Sequence, residues 1–189
     1  MRQVATGRGQ CARALFSRRA SAYTLRYLKE PVITFENEQE AATQKIARAL
    51  APLLAPCDLL ILSGDLGAGK TFFTRELLYG LGLPEHERVT SPTFTLIQEY
   101  QTSRRVMHAD LYRLHAAEEV DELGLIEARQ DGAVLVVEWG RPYEKQLGGD
   151  ALFVELHMEP HRRLEMSGQG ARALELLDQL STLTLGFTS

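Results

Sequence analysis

Apolar and polar positions change their spacing several times along the chain, which predicts strands that alternate with helices. Short apolar or alternating runs predict strands near residues 32–35, 58–62, 93–100, 105–111, 133–138, 151–158 and 163–166. Helical spacing follows Asn37 and also covers residues 71–81, 117–123 and 171–183, with Leu174, Leu177 and Leu180 predicted on one face. Strands that alternate with helices predict an α/β layered domain.

The segment between the second predicted strand and the next helix carries the most specific motif. It matches G-x-x-x-x-G-K-[ST] at every fixed position. In such a loop, glycines let backbone N–H groups turn toward phosphate, and the helix N-terminus favours the same anion. Lys70 is predicted to reach the β- and γ-phosphates, and the Thr71 hydroxyl to ligate Mg²⁺. The predicted nucleotide-binding residues here are Gly64, Asp65, Leu66, Gly67, Ala68, Gly69, Lys70, Thr71 and, through its backbone N–H, Phe72.

This loop refines the predicted fold. A strand, a phosphate loop and a helix in that order are typical of P-loop NTPases. We therefore expect a P-loop NTPase-like three-layer α/β sandwich, with a mixed, mostly parallel central sheet flanked by helices.

Acids at the ends of two other strands are candidates to complete the site. A phosphate loop needs a carboxylate to hold Mg²⁺ or its bound water, and Glu138 and Asp110 each follow an apolar run. His108 is predicted to be either a structural histidine or one that supports a metal ligand, rather than a ligand itself, because no third ligand is near in sequence. Trp139 is predicted either beside the nucleotide or in the core or an interface. Residues 91–95 form either a plain turn or a nucleotide-sensing switch segment.

Charge divides the chain into a basic tail and an acidic remainder. Six of the 21 Lys and Arg side chains lie in residues 1–28, which contain no acid. The remaining 15 basic and 25 acidic side chains give residues 29–189 a charge of −10. We predict a disordered basic extension at 1–30 and one domain at 31–185. An organelle transit peptide and a nucleic-acid-binding arm are alternatives for the extension.

The acidic domain narrows the possible functions. Direct nucleic-acid binding is disfavoured, because a net charge of −10 repels phosphate backbones. No apolar run approaches the length of about 18 residues that a membrane span needs, and a cytoplasmic location is expected.

The one asparagine, Asn37, precedes Glu38, so the Asn-Lys-x-Asp motif of guanine-specific proteins is absent. A small ATPase that acts on a protein partner remains. A small-molecule kinase and a nucleotide-binding module without hydrolysis are the alternatives.

Four segments together resemble the TsaE (YjeE) family in order and spacing. They are the phosphate loop at 64–71, Ser-Pro-Thr-Phe-Thr at 91–95, His-Ala-Asp-Leu-Tyr-Arg at 108–113 and Val-Glu-Trp at 137–139. The resemblance runs from about Val32 to about Leu180. It implies an ATPase, weak alone, that serves bacterial tRNA N6-threonylcarbamoyladenosine synthesis. The implied partners are TsaD, which transfers the threonylcarbamoyl group, and its non-catalytic paralogue TsaB. ATP hydrolysis would reset their complex between cycles, and tRNA would be contacted only indirectly.

The resemblance also implies roles for individual residues. Thr71 and Glu138 correspond to the Mg²⁺ ligands, and Lys70 to the phosphate-binding lysine. Asp110 corresponds to an essential acid, which acts on Mg²⁺ through water or on the attacking water itself. Thr93 corresponds to the residue that senses the γ-phosphate.

Other implied positions concern the base and the loop after the second acid. Glu38 and Arg163 are expected near the adenine, and Trp139 is expected at the nucleotide. Gly140 departs from the family, which usually has proline after Glu-Trp, so the local loop geometry is expected to differ.

Overall fold

The computed structural model describes residues 32–36, 40–158 and 161–184. The predicted extension at 1–30 and Glu38 lie outside these residues. The strands are β1 Val32–Glu36, β2 Leu59–Ser63, β3 Ile97–Gln101, β4 Arg105–Asp110, β5 Val134–Glu138, β6 Ala151–His157 and β7 Arg163–Gln169. The helices are α1 Glu40–Leu50, α2 Lys70–Gly80, α3 Ala117–Asp121, α4 Leu125–Gln130 and α5 Ala171–Thr184. None of the helices in this described part is long and apolar enough to cross a membrane.

All seven strands belong to one sheet with the order β1-β7-β6-β2-β5-β4-β3. Strand β2 pairs in parallel with β5 and β6, and β4 pairs in parallel with β5. The pairings β1–β7, β6–β7 and β3–β4 are antiparallel. The predicted mixed sheet is confirmed, with four parallel strands in its centre and antiparallel strands toward its edges.

Helices cover both faces of the sheet because the central strands are apolar on both sides. Along β2, Leu60 and Leu62 pack in one core with α1, α2 and α5. The alternate residues Leu59 and Ile61 pack in a second core with α3 and α4. Successive strand side chains point to opposite faces, so a strand buried on both sides reads as a continuous apolar run.

Two predicted elements differ in the structure because of turns. The strand predicted at 93–100 begins only at Ile97, since residues 93–95 form a turn and Leu96 has a φ of 63°. The helix predicted at 117–123 ends at Asp121, and a second helix that was not predicted, Leu125–Gln130, begins after Gly124, which has a φ of 67°. A residue with a positive φ directly precedes both Ile97 and Leu125, and the apolar pattern alone does not reveal it.

The predicted apolar face of the last helix was wrong at Leu174. Leu177 and Leu180 are buried as expected, whereas Leu174 is 40% exposed. Ala173 and Leu176 are also buried, so the buried face of the helix is rotated by about one residue from the predicted face. The absence of a side chain at Gly168 of β7 allows this close approach, since a Cβ there would lie 3.0 Å from the backbone of Ala173.

Two arginine–carboxylate pairs share one geometry and differ in burial. Arg172 donates two hydrogen bonds to Asp58 at 2.9 and 3.0 Å, and Asp58 is 3% exposed. Arg105 donates two hydrogen bonds to Glu99 at 3.1 Å each, with both side chains 38% exposed. Because water solvates the second pair, removal of one partner should be costly only in the first pair.

Replacing Arg172 with methionine is expected to lower the free energy of unfolding by about 2–4 kcal/mol, since the buried carboxylate of Asp58 loses two charged hydrogen bonds. The matched change Arg105→Met should cost less than about 1 kcal/mol. Urea unfolding of both variants measures the difference. Equal losses in the two variants would contradict the assigned burial effect.

Candidate functional site

The ends of three neighbouring parallel strands meet at one edge of the sheet. In the strand register, Leu62 of β2 lies beside Glu138 of β5, and Glu138 lies beside Asp110 of β4. Carboxyl ends of adjacent parallel strands form the usual ligand-binding edge of an open α/β sheet. The segment 64–71 follows β2 directly, so both acids lie next to the phosphate loop.

The loop wraps around the side chain of Lys70. Its Nζ donates hydrogen bonds to the carbonyl oxygens of Gly64 at 2.7 Å and Asp65 at 2.9 Å. Gly64 has a φ of 135°, and a Cβ there would lie 2.3 Å from the carbonyl oxygen of Leu156, so only glycine fits. Lys70 is 4% exposed. Burial lowers the pKa of Lys70, and the charge of Glu138 opposes that change.

Glu138 accepts two hydrogen bonds on the same oxygen. Thr71 Oγ1 lies 2.9 Å from Glu138 Oε1, and His108 Nε2 lies 3.0 Å from it. Glu138 is 3% exposed and His108 is fully buried. An ionised carboxylate only accepts hydrogen bonds, so the proton of a neutral His108 belongs on Nε2. The Thr71 hydroxyl and the Glu138 carboxylate are the oxygen ligands that Mg²⁺ prefers.

Asp110 contacts the predicted switch segment instead of the phosphate loop. Its Oδ2 accepts hydrogen bonds from Ser91 Oγ at 2.5 Å and Thr93 Oγ1 at 2.6 Å. Its Oδ1 accepts the backbone N–H of Tyr112 at 3.0 Å. The two acids are therefore distinguished by their partners, since Glu138 contacts Thr71 and Asp110 contacts Thr93. Sequence reasoning gave Ser91 no role of its own, because 19 positions separate it from Asp110.

Trp139 lies over the ammonium group of Lys70. The Lys70 Nζ is 4.3 Å from the centre of its ring, and the ring of Tyr112 is 5.1 Å away. Trp139 has a φ of 62°, and its backbone N–H donates to the carbonyl of Leu62 at 3.0 Å. This unusual backbone conformation turns the half-buried ring toward the loop and away from both cores.

The residue after Trp139 leads directly into a short 3₁₀ helix, Arg141–Tyr143. Gly140 has a φ of −78°, which lies within the range of proline. A Cβ at Gly140 would nevertheless lie 2.8 Å from Val137 Cγ1. Gly140, where the chain departs from the family pattern, is therefore a position with no room for a side chain.

A cleft of about 200 Å³ is lined in part by residues 67–69 of the loop itself. Its lining includes Glu40, Thr43, Phe72, Leu156, His157 and Arg163. Arg163, which was predicted near the adenine, thus lies beside the loop and donates to Glu165 at 2.8 Å. Glu38, predicted with it, is outside the described residues. Sequence reasoning missed Glu40, Thr43, Leu156 and His157, since no motif marks them.

Comparison with known proteins identifies the family of this chain. The family model described as "Threonylcarbamoyl adenosine biosynthesis protein TsaE" matches residues 37–165, which include all four segments named above. This chain belongs to the TsaE family. The predicted family resemblance is confirmed, and the basic tail at 1–30 lies outside the match to TsaE.

Individual TsaE relatives agree with the family match. The chain is 41% identical over 135 residues to a Rickettsia felis protein, covering 70% of this chain and 77% of the relative. It is 37% identical over 142 residues to a Bacillus subtilis protein, covering 74% and 87%. Both relatives are named tRNA threonylcarbamoyladenosine biosynthesis protein TsaE. The crystal structure of Bacillus subtilis YdiB superposes with a TM-score of 0.65 at 28% identity, covering 82% of this chain and 98% of YdiB.

Proposed function

We propose that this chain is a Mg²⁺-dependent ATPase of tRNA N6-threonylcarbamoyladenosine synthesis, built as a P-loop NTPase-like sandwich. It acts in the cytoplasm on a complex of TsaD and TsaB and resets that complex between catalytic cycles. The observation that carries the proposal is the 2.9 Å hydrogen bond from Thr71 to Glu138, in a chain of the TsaE family. It joins the two predicted Mg²⁺ ligands across 67 positions of sequence.

The surroundings of Lys70 support binding of a polyphosphate. In the part of the chain that the structure describes, its hydrogen bonds end on backbone carbonyls of Gly64 and Asp65, which carry no formal charge. The carboxylates of Glu138, Asp110 and Asp65 attract this buried ammonium group without hydrogen-bonding to it, and the phosphates of ATP would supply directly bonded, charged partners. The positive φ angles of Gly67 and Gly69 turn the loop backbone immediately before α2, where N–H groups can face an anion.

The acids divide the remaining chemistry between them. Thr71 and Glu138 would hold Mg²⁺, which when bound neutralises charge on the β- and γ-phosphate oxygens. Asp110 would orient the attacking water directly or through a metal-bound water. Thr93 donates to Asp110 in the structure at 2.6 Å, so contact with a γ-phosphate requires its hydroxyl to turn from this acid. Ser91 also donates to Asp110 and would keep the carboxylate oriented when Thr93 turns.

The cleft beside the loop is suited to the base and ribose. Phe72 and Leu156 supply apolar surface there, and Arg163 and Thr43 supply polar groups. Ligand sites commonly combine apolar walls with a few polar groups that fix orientation. Trp139 lies at Lys70, so we assign it to the phosphate side of the nucleotide.

A protein partner fits the charge of the domain. The 15 basic and 25 acidic side chains of residues 29–189 disfavour direct tRNA binding. We therefore assign tRNA contact to TsaD and TsaB, and only an indirect role to this chain.

Association with purified TsaD–TsaB complex should depend on the bound nucleotide. We expect affinity at least about tenfold higher with ATP than with ADP or no nucleotide, equivalent to about 1.4 kcal/mol. A pull-down across the three states measures this dependence. No association in any state would contradict the partner assignment.

Metabolite-stimulated ATP consumption with a phosphorylated product would indicate a kinase. ATP binding without phosphate release, even with partners, would indicate a non-hydrolysing module.

A further inference from the structure

His108 occupies an unusual position for a polar side chain. It lies on β4 opposite Val136 of β5, in the interior of the sheet, and is fully buried. Its Nδ1 is buried and has no hydrogen-bond partner among the described residues. A buried polar atom without a partner costs free energy, so packing alone does not explain a histidine here.

The other ring nitrogen has one specific contact. His108 Nε2 lies 3.0 Å from Glu138 Oε1, the same oxygen that accepts the hydroxyl of Thr71. Lys70 is close by, but its Nζ donates to the carbonyl oxygens of the loop. Among the described residues, the hydrogen bonds to the Glu138 side chain therefore come from Thr71 and His108.

These two donors have different roles in the proposed reaction. The Thr71 hydroxyl would ligate Mg²⁺, whereas His108 is fully buried and is not assigned as a ligand. The ring would thus hold the orientation of Glu138 while Thr71 changes partners. Groups that hydrogen-bond to metal-ligating side chains commonly fix ligand orientation in this way.

We propose that His108 is a positioning residue that donates Nε2–H to Glu138 and keeps its carboxylate directed at Thr71. The proposal rests on the proposed Mg²⁺-ATP site. It assigns the buried histidine to hydrolysis and Mg²⁺ binding rather than to stability of the sheet.

Two amide substitutions test which ring nitrogen matters. The amide nitrogen of His108→Gln reaches the position of Nε2, whereas that of His108→Asn reaches the position of Nδ1 and leaves Glu138 without its donor. We expect phosphate release within about threefold of wild type for Gln and a kcat about 10–100-fold lower for Asn, with a smaller change in KM for ATP.

A binding measurement separates positioning from turnover. Trp139 is the only tryptophan and directly follows Glu138. Its fluorescence can follow Mg²⁺ titration in the presence of a non-hydrolysable ATP analogue. The apparent Mg²⁺ affinity should fall about tenfold or more in His108→Asn and stay near wild type in His108→Gln. Thermal melting confirms folding, and His108→Met, which has no donor, replaces the Asn variant if that protein does not fold.

The role of His108 would be overturned if the Gln variant and the variant without the donor had the same kcat and the same Mg²⁺ affinity. That result leaves the proposed function intact if wild type hydrolyses ATP and Glu138→Gln does not. If wild type neither binds nor hydrolyses Mg²⁺-ATP, the proposed function itself fails.

Discussion

Replacing Lys70 with alanine is expected to lower the affinity for ATP on the order of 10²- to 10⁴-fold. Lys70 is buried, and its ammonium group is held at the centre of the phosphate loop by two carbonyl oxygens. A hydrogen bond to a charged group contributes about 1.5–3 kcal/mol, so two phosphate contacts account for about 3–6 kcal/mol. Calorimetric titration with ATP measures the loss.

The exposed Lys45 on α1 provides a matched control. Lys45→Ala removes the same charge from the chain but leaves the loop unchanged, and its ATP affinity should equal that of wild type. Lys70→Ala should remain folded, because the loop carbonyls become available to water once the ammonium group is gone. An unchanged ATP affinity of a folded Lys70→Ala protein would contradict the phosphate-binding role.

Replacing Glu138 with glutamine should lower the rate of phosphate release on the order of 10²- to 10³-fold. The substitution keeps the size of the side chain and one carbonyl oxygen for Thr71 and His108. It removes the negative charge that a divalent cation requires. ATP binding in the absence of Mg²⁺ should therefore be retained, while the enhancement of binding by Mg²⁺ should be lost. Phosphate-release kinetics and titrations with and without Mg²⁺ measure the two effects.

Glu127→Gln is the matched control for that change, since Glu127 is exposed on α4 and lies outside the site. It should leave phosphate release at the wild-type rate. If Glu138→Gln hydrolysed ATP as fast as this control, Glu138 would not be the Mg²⁺ ligand, and Asp110 would become the leading candidate.

Local patterns were enough to predict most of the elements and the phosphate loop. The apolar run at 133–138 and the motif at 64–71 depend on short stretches of sequence, and the structure has a strand and a loop there. The strand predicted at 93–100 failed at its start because Leu96 adopts a positive φ. Such a turn depends on contacts with distant residues, here the hydrogen bonds of Thr93 and Ser91 to Asp110.

The contacts within the site could not be predicted from spacing. Glu138 and Asp110 were equivalent as acids at strand ends, and only the order β2-β5-β4 brings Glu138 to Thr71. The same order places His108 against Glu138, 30 positions away in sequence. Strand order depends on packing of the whole domain, so one sequence reveals the candidates but not their partners.

The number of tRNA molecules modified per TsaD–TsaB complex tests the central claim most directly. With ATP, the wild-type chain should allow many modifications by each complex, whereas the Lys70→Ala protein should leave the count near the level reached without this chain. Equal counts for wild type and Lys70→Ala would contradict the claim that ATP bound at this loop resets the complex.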